Sequence, residues 1–340
     1  MTNINDVAKA AGVSKSTVSN VFSQKRPISK EVRERVLAVA KELHYKPNYL
    51  ARSLAIKETK IIGLNMVGEK IKFSQFHLSF INGVLSECYH QGYRLLVNTL
   101  PDHYREQVIH VASNPTDGEI ILAPSMNDNR IIESVEKNTP VVVVGIPPTP
   151  YENQLSYVDN NNFPAAVQVT DYLISLGHRN FLFLNAPKIR TVSQEREIGH
   201  VASLDKNGVP VNQRFIIPRN EKLTSVEFGY VTAKKMLVEN KELTAVITDN
   251  DKVALGVYRA CAELGIQIPK QLSIIAFSDG SVYASEFSPP LTNMKLNGEK
   301  LGREAAKLLI EQIKSSEQIV KRVIIPIELE ERGSTSNIQT

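Results

Sequence analysis

The chain has 340 residues, 42% of them hydrophobic and 22% charged, with two cysteines and a formal net charge of +4. This length can bury one large core or two ordinary cores, and the longest apolar run, residues 141–146, is far shorter than the roughly 20 residues of a membrane span. Because Asp6 and Lys9 interrupt the N-terminal region, no signal peptide is visible, and we expect a soluble cytosolic protein with reduced cysteines and no membrane segment.

The charge is unevenly distributed along the chain. Residues 1–60 contain twelve Lys or Arg and five acidic residues, a net charge of +7, so the remaining 280 residues sum to −3. A basic N-terminal segment on a mildly acidic body is typical of a nucleic-acid-binding domain attached to a domain with another task. A solvated basic face without a ligand is the alternative.

Residues 8–22, AKAAGVSKSTVSNVF, predict a helix-turn-helix. Ala8, Gly12 and Val18 have the spacing at which a small residue lets two helices approach, a glycine takes positive φ in the turn, and an apolar residue anchors the second helix. The two helices should therefore pack closely through this turn.

The second helix of this motif should present a polar face. Val18, Val21 and Phe22 recur at i, i+3 and i+4, so the residues between them point away from the core. Asn pairs with adenine, Lys with guanine, and Ser or Thr with base edges or phosphates, so these side chains suit DNA. An exposed helix without a ligand is the alternative. The predicted DNA-binding residues of this face are Ser14, which also caps the helix, Lys15, Ser16, Thr17, Ser19 and Asn20.

A third helix and a short segment follow. Ser29 is the expected cap of the third helix, and apolar residues at helical spacing from Val32 to Leu43 should close a three-helix domain. In residues 47–55, PNYLARSLA, a proline ends that helix, and Leu50 and Leu54 lie four residues apart. This segment is too short to be a stable helix alone, so we expect it to need a partner to fold.

Two stretches, INDVAKAAGVSKSTVSNVF (residues 4–22) and ELHYKPNYLARSLA (residues 42–55), together resemble the N-terminus of the LacI/GalR family of bacterial transcription regulators. The resemblance implies that the second helix enters the major groove of an operator. There Lys15, Ser16 and Asn20 would occupy the positions that choose the operator sequence.

The resemblance also implies a role for the short segment after the third helix. In the family this hinge becomes helical only on the operator, where two copies pack together and push leucines into the minor groove. By position Leu54 would be that wedge, and Asn48 and Ala51 would be DNA-binding residues of the same segment.

From Lys60 onward, short continuous apolar stretches alternate with amphipathic ones. This pattern predicts parallel sheets covered by helices on both faces, and the number of strands exceeds one ordinary sheet, so we predict an α/β fold with two lobes. The expected strands are residues 61–67, 93–99, 118–124, 141–146, 181–186, 245–249 and 272–277. The expected helices lie near residues 79–91, 163–176, 225–239, 251–264 and 297–315.

The family resemblance implies a two-lobed, periplasmic-binding-protein-like core of parallel sheets flanked by helices, with an N-terminal all-α helix-turn-helix domain. The expected domains are residues 1–46 for DNA binding, 47–59 for the hinge, and 60–340 for effector binding and dimerisation. The expected lobes are about 60–160 plus 293–325, and 161–292 plus 326–340.

Ligands of such sheets gather at the carboxyl ends of the strands, and a cleft between two lobes suits a small molecule. The resemblance indicates which strand ends to consider. Arg196 and Asn250 suit hydroxyl-rich or anionic ligands because they offer a planar donor fork and an amide. His77 could instead be an ordinary residue at a helix start, and Asp159 and Asp279 could be turn formers. The candidate effector-binding residues are Ser74, Phe76, His77, Ser125, Asp159, Arg196, Asn250, Asp251 and Asp279.

Two departures from the family pattern bear on the effector. Many members have an Asp directly after the fourth strand, where this chain has Gly145 and Ile146, and another Asp at the position of Ser278. The loss of acidic acceptors weakens the prediction of an ordinary monosaccharide held by carboxylates. A sugar or sugar phosphate remains the expected effector, with a purine, another small metabolite or a protein co-regulator as alternatives.

The sequence contains no G-x-S-x-G, P-loop, H-E-x-x-H or G-x-G-x-x-G motif. His103, Glu106 and His110 would share one helical face, but the stretch is polar throughout, which favours a solvated helix over a metal site. We therefore expect no catalytic residue, no metal and no cofactor. A sugar-active enzyme and a solute-binding transport protein are the alternatives, and the basic N-terminal segment opposes the second.

These observations predict a homodimeric repressor that binds pseudo-palindromic double-stranded operator DNA. An effector that prefers one angle between the lobes would change the separation of the two hinge segments, and so the operator affinity. The C-terminal tail ERGSTSNIQT lacks a leucine heptad, which favours a dimer over a tetramer.

Overall fold

The computed structural model describes residues 2–23, 26–46, 58–66, 73–99, 115–220, 222–279, 282–315, 317 and 319–338. These residues form two units that divide after Lys60, a small helical unit and a large α/β unit. Asn48, Ala51 and Leu54 of the predicted hinge lie outside the described residues, as do His103, Glu106 and His110. Within the described part of the chain, no helix is both long and apolar enough to cross a membrane.

The helices are α1 (Ile4–Ala11), α2 (Lys15–Ser23), α3 (Lys30–Glu42), α4 (Gln75–Gln91), α5 (Asn129–Glu136), α6 (Asn162–Ser175), α7 (Thr191–Lys206), α8 (Ser225–Glu239), α9 (Asp251–Leu264), α10 (Val282–Glu286) and α11 (Gly298–Lys314). The strands are β1 (Ile61–Asn65), β2 (Arg94–Asn98), β3 (Gly118–Leu122), β4 (Val141–Val144), β5 (Ser156–Asp159), β6 (Phe181–Asn185), β7 (Arg214–Pro218), β8 (Ala245–Thr248), β9 (Ser273–Ser278), β10 (Thr292–Lys295), β11 (Arg322–Ile324) and β12 (Glu328–Glu330).

The helical unit has a small apolar core shared by α1, α2 and α3. Val7, Val18 and Val36, one from each helix, are fully buried. The Oγ of Ser29 accepts a hydrogen bond from the amide of Val32 and so caps α3, as predicted. The predicted three-helix domain is therefore confirmed.

The large unit contains two six-stranded sheets. The first has the order β11–β5–β4–β3–β1–β2, and all of its neighbouring strands are parallel. The second has the order β12–β10–β9–β8–β6–β7, and it is parallel except for the pair β10 and β12. Every residue of β3, β4, β6, β8 and β9 is buried, because helices cover both faces of each sheet. The predicted two-lobed α/β fold is confirmed.

The chain passes between the lobes three times, after β5, after β10 and after β11. The crossings are held together by hydrogen bonds from the amide of Ile325 to the carbonyl of Asp159 (2.9 Å) and from the Nδ2 of Asn297 to the carbonyl of Pro326 (2.8 Å). The predicted lobe boundary near residue 293 needs a correction, because β10 pairs with β9 of the second sheet and the crossing comes after Lys295.

Helices pack in pairs against the sheets, and glycines allow their close approach. A Cβ on Gly83 of α4 would collide with the carbonyl of Glu299 on α11, and one on Gly302 of α11 would collide with the carbonyl of Phe80. Gly256 of α9 has the same relation to α8 in the second lobe. The two lobes therefore use the same packing device.

Candidate DNA-reading face and ligand cleft

The turn between α1 and α2 has the geometry expected of a helix-turn-helix. Gly12 ends α1 with a φ of 65°, in the left-handed region that favours glycine. The Oγ of Ser14 accepts a hydrogen bond from the amide of Thr17 (3.1 Å) and lies 2.9 Å from the hydroxyl of Thr17. Ser14 therefore caps α2 as predicted.

The outer face of α2 is polar. Lys15 and Ser16 are exposed, and Ser19 and Asn20 are half-buried. The apolar side of the helix faces the core of the unit, with Val18 and Val21 buried. The row of short polar side chains thus lies on the side of α2 that a base edge could reach.

The candidate ligand cleft is the space between the carboxyl ends of the two sheets, where a direct contact joins the lobes. Ser125, after β3, forms an antiparallel bridge with Arg190, before α7. The amide of Met126 donates to the carbonyl of Ile189 (2.8 Å), and the amide of Thr191 donates to the carbonyl of Pro124 (3.2 Å). We call residues 123–126 and 189–191 the clasp.

Side-chain bonds reinforce the clasp. The Nη1 of Arg190 donates to the Oγ of Ser125 (2.9 Å) and to the carbonyl of Ala123 (3.0 Å). The amide of Ser125 in turn donates to the carboxylate of Asp128 (3.0 Å). Ser125, predicted to bind an effector, is thus engaged between the lobes.

A second contact between the lobes involves Phe76 and Asp279. Phe76 packs against the apolar cores of both lobes and stacks on Phe80, with ring centroids 6.3 Å apart. The Oδ1 of Asp279, after β9, accepts a hydrogen bond from the amide of Gly298 (2.5 Å), and its carboxylate also bonds Ser79 of α4. Burial raises the pKa of Asp279, and the bonds to Ser79 and Gly298 oppose this shift.

Arg196 is buried among polar residues of the second lobe, with only 4% of its surface exposed. Its Nε donates to the Oδ1 of Asn162 (2.9 Å), and its Nη1 donates to the carboxylate of Asp249 (2.9 Å) and to the Asp249 carbonyl (3.3 Å). The guanidinium carbon lies 4.0 Å from the centre of the Phe277 ring. Stacking and hydrogen bonds together fix the plane of the guanidinium group.

Asn250 orients the carboxylate that Arg196 binds. Its Nδ2 donates to the Oδ2 of Asp249 (2.8 Å), and its Oδ1 accepts from the amide of Val253 (3.0 Å), which caps α9. Asp251 begins α9, and burial raises its pKa, whereas the neighbouring Lys252 lowers it. The amide of Asn250, predicted to contact an effector, is therefore bonded at both ends within the protein.

Asp159 joins this group of residues to the first crossing between the lobes. It accepts hydrogen bonds from the amide of Asn161 (2.6 Å) and from the Nδ2 of Asn162 (2.8 Å), the residue that also binds Arg196. Burial raises the pKa of Asp159, although these bonds and the charge of Arg196 oppose the shift. Burial and the Asp159 carboxylate also raise the pKa of Glu195. A continuous series of hydrogen bonds thus runs from Asp159 to the start of α9.

Lys252 of the second lobe contacts the first lobe near His77. The Nδ1 of His77 lies 2.6 Å from the Oγ of Ser74 at the start of α4, and the Nζ of Lys252 donates to the carbonyl of Phe73 (3.0 Å). Burial, followed by the charge of Lys252, lowers the pKa of His77 to about 4, and the charge of Asp249 opposes this shift. His77 is therefore neutral at pH 7.

The structure brings most of the predicted effector-binding residues to the cleft or to the contacts between the lobes, but it does not gather them around a single point. Ser125 belongs to the clasp, whereas Phe76 and Asp279 belong to the second contact. Sequence reasoning missed Asp249, although its position at the carboxyl end of β8 was a usable signal. It also missed Asn162, Arg190 and Lys252. The described residues include no cluster of three or more His, Cys, Asp or Glu able to hold a metal ion.

Comparisons with known proteins agree with this architecture. Residues 3–48 match a family described as bacterial regulatory proteins, lacI family, and residues 170–335 match a periplasmic binding protein-like domain. The HTH-type transcriptional repressor PurR of Histophilus somni (strain 129Pt) is 31% identical over 318 residues, which cover 92% of this chain and 92% of the relative.

Two solved structures extend the comparison. The lac repressor dimer bound to operator and the anti-inducer ONPF has a TM-score of 0.82 at 24% identity, covering 98% of this chain and 99% of the other. The complex of the transcriptional regulator CelR with cellobiose has a TM-score of 0.75 at 25% identity, covering 98% and 100%. The helix-turn-helix unit, the two-lobed core and the extent of these matches establish that the chain belongs to the LacI family of DNA-binding transcription regulators.

Proposed function

We propose that the chain is a homodimeric repressor that binds a pseudo-palindromic operator through α2. A small-molecule effector that binds between the lobes changes its affinity for the operator. The observation that carries this proposal is the outer face of α2, where Lys15, Ser16, Ser19 and Asn20 follow one another above a buried apolar side. Such a row positions a helix in the major groove and offers donors and acceptors to base edges.

The cleft supports the effector part of the proposal. Polar side chains from both lobes, among them His77, Arg196 and Lys252, lie near the carboxyl ends of the two sheets. A ligand that favours one angle between the lobes would act on these crossings, and its differential affinity for the two states would change operator affinity. CelR, which resembles this chain, was solved with cellobiose, and this favours a sugar or sugar derivative over a purine, another metabolite or a protein co-regulator.

The homodimer has a candidate surface on the first lobe. Leu78, Leu85 and Tyr89 lie on one side of α4 and are 45%, 46% and 84% exposed, and the edge strand β2 adds exposed Leu96 and Val97. A pseudo-palindromic operator requires two α2 helices related by two-fold symmetry, so we assign a second copy of the chain to this surface. The lac repressor of the similar structure is a dimer on its operator.

Two further assignments follow from family membership. Because LacI-family members are regulators rather than enzymes, we propose that this chain works without a catalytic residue and acts in the cytoplasm, where its DNA is. We also propose that Asn48, Ala51 and Leu54 contact the operator as a hinge segment, with Leu54 as the minor-groove wedge.

The experiment is selection of binding sites from a random duplex library with the full chain. The parent should return an inverted repeat, as a dimer requires, and Asn20→Ala should relax one position of each half-site, with a loss of discrimination of roughly 1–3 kcal/mol. The control is Asn5→Ala on α1, which should leave the selected sequence unchanged. An unchanged sequence preference in Asn20→Ala would contradict the assignment of the reading face, and an unrepeated half-site would contradict the dimer.

A further inference from the structure

The charge of the effector can be inferred from the contacts of Arg196, and this inference rests on the proposed role of the cleft. A buried arginine at the carboxyl ends of parallel strands would ordinarily suit a phosphate or carboxylate ligand. Here a carboxylate of the protein already occupies it. We propose that Asp249 sets the charge selectivity of the cleft, which accepts an uncharged, hydroxyl-rich ligand and rejects an anionic one such as a sugar phosphate.

The first step is that Asp249 occupies the position an anionic ligand would take. Its Oδ1 lies 2.9 Å from the Nη1 of Arg196, and the two side chains are 16% and 5% exposed. Within the described residues, the hydrogen bonds of Arg196 run from Nε and Nη1. An incoming anion would therefore meet a guanidinium group whose charge is already paired with the carboxylate of Asp249.

The second step is that Asp249 cannot easily turn away. Asn250 holds its other oxygen at 2.8 Å, and Asn250 is itself fixed because it caps α9 through the amide of Val253. Moving the carboxylate would break the bond to Asn250 and the ion pair with Arg196 together. The arrangement is thus preorganised without a ligand.

The third step is the balance of charge around Arg196. Asp159 acts on Arg196 through its charge, as Asp249 does, so one cation faces two carboxylates. Lys252 is a second cation on the second lobe, but the carboxylate of Asp251 lies beside it. Glu195 adds another carboxylate near Asp159. His77 contributes no positive charge at pH 7. On this side of the second lobe, four carboxylates thus accompany two cations.

A neutral polyol has the opposite relation to these groups. Its hydroxyls can donate to the carboxylates of Asp249 and Asp159 and accept from donors of the cleft without displacing the ion pair. It pays no cost for removing a second negative charge from water, a cost that is large in a buried site. The same residues that exclude a phosphate therefore favour a ligand with several hydroxyl groups.

The test uses inorganic phosphate as the probe, measured by calorimetry on the full chain at constant ionic strength. The parent should show no saturable binding, whereas Asp249→Asn should bind phosphate with a Kd at least about tenfold below the highest phosphate concentration used, because the amide frees the charge of Arg196 without changing side-chain size. Glu242→Gln is the control, since it removes one carboxylate from the exposed loop before β8, at the end of that strand away from the cleft, and should behave as the parent. Adding Arg196→Gln to Asp249→Asn should abolish the gained binding.

Two results would overturn the proposal. One is saturable phosphate binding by the parent that Arg196→Gln or Lys252→Gln removes, and the other is equal phosphate affinity in Asp249→Asn and Glu242→Gln. If Asp249→Asn does not fold, Asp249→Ser serves in its place. Operator release is measured separately with a panel of neutral sugars. If Asp249→Asn gains phosphate binding but no sugar releases the operator from the parent, the charge assignment is supported and the effector proposal is contradicted.

Discussion

The two lobes each bury an arginine–aspartate pair at the carboxyl ends of their strands, but the pairs are built differently. In the first lobe, Arg130 binds Asp128 through two bonds, from Nε to Oδ1 (2.8 Å) and from Nη2 to Oδ2 (2.6 Å). Its Nη1 donates to the carbonyls of Asn65 (3.0 Å) and Leu122 (3.3 Å). In the second lobe, Arg196 meets Asp249 through one nitrogen and is otherwise held by the side chain of Asn162 and by a ring.

The difference concerns what each pair can do. Backbone carbonyls of β1 and β3 fix Arg130, so its position follows from the sheet itself, and its bonds outweigh burial and keep the pKa of Asp128 low. Side chains hold Arg196, and its partner Asp249 keeps 16% of its side chain exposed. The pair enclosed by backbone therefore stabilises a lobe, whereas the partly exposed pair can also contact a ligand.

The largest expected effect comes from breaking the enclosed pair. Arg130→Met should leave the carboxylate of Asp128 buried without its counterion and lower the free energy of unfolding by about 3–5 kcal/mol. Arg196→Met should cost clearly less, because Asp249 keeps its bond to Asn250 and some access to solvent. Denaturant unfolding of both variants at pH 7 measures the difference. Equal losses of unfolding free energy in the two variants would show that the two arginine–aspartate pairs contribute equally to stability.

A smaller effect concerns a buried histidine of the second lobe and the response of that lobe to acid. His200 on α7 is fully buried against Phe181 and Phe183, and burial, followed by the charge of Arg214, lowers its pKa to about 3. A folded-state pKa below the unfolded value of about 6.5 means that stability falls as pH falls from about 6.5 towards 3. We expect His200 to account for a loss of about 2 kcal/mol between pH 7 and pH 5.

Denaturant unfolding at pH 7 and pH 5 checks this expectation. His200→Leu should reduce the loss of stability on acidification, whereas His90→Leu, an exposed histidine of the first lobe, should not. An equal loss of unfolding free energy in the parent and in His200→Leu between pH 7 and pH 5 would contradict this expectation. Other groups would then govern the response to acid, such as His178, whose pKa burial lowers to about 4.

The smallest expected effect concerns the clasp. Its residue Ser125 bonds both Asp128, of the Arg130–Asp128 pair, and Arg190 of the second lobe. Ser125→Ala removes one acceptor of Arg190, but the bond to the Ala123 carbonyl and the backbone bridge remain, so the loss of stability should be about 1 kcal/mol or less. Amide hydrogen exchange should nevertheless become faster at Met126 and Thr191, whose amides cross between the lobes. Unchanged exchange at both amides would show that the side-chain bond is dispensable for the clasp.

Much of the fold could be predicted because it depends on local pattern. The turn at Gly12 and the cap at Ser14 follow from residues a few positions apart, and the seven apolar strands were each visible as a continuous run. The short strands β5, β10, β11 and β12 were missed, because three or four residues give little periodicity. The strand β7, RFIIP, was also missed, because it ends in a proline and lies at a sheet edge, where burial is incomplete.

The candidate site was harder to predict, because its contacts join distant parts of the chain. Helix α7 was missed although it contains Arg196, since its buried positions include polar residues such as Ser193 and His200 that obscure the apolar pattern. The pairing of Arg196 with Asp249 spans 53 positions and leaves no local signal. Asn250 was identified as polar and well placed, but only the structure reveals that it caps α9 and orients Asp249.

The three crossings have a consequence for synthesis on the ribosome. Strands β1–β5 are complete at residue 159, but the first lobe also needs α11, whose Leu301 and Leu309 fill its core, and the edge strand β11. At roughly 5–20 residues per second, the nascent first lobe waits on the order of ten seconds for these segments while the second lobe emerges. A polypeptide released before residue 298 therefore has an apolar sheet face uncovered, and proteases that survey incomplete chains would find it there.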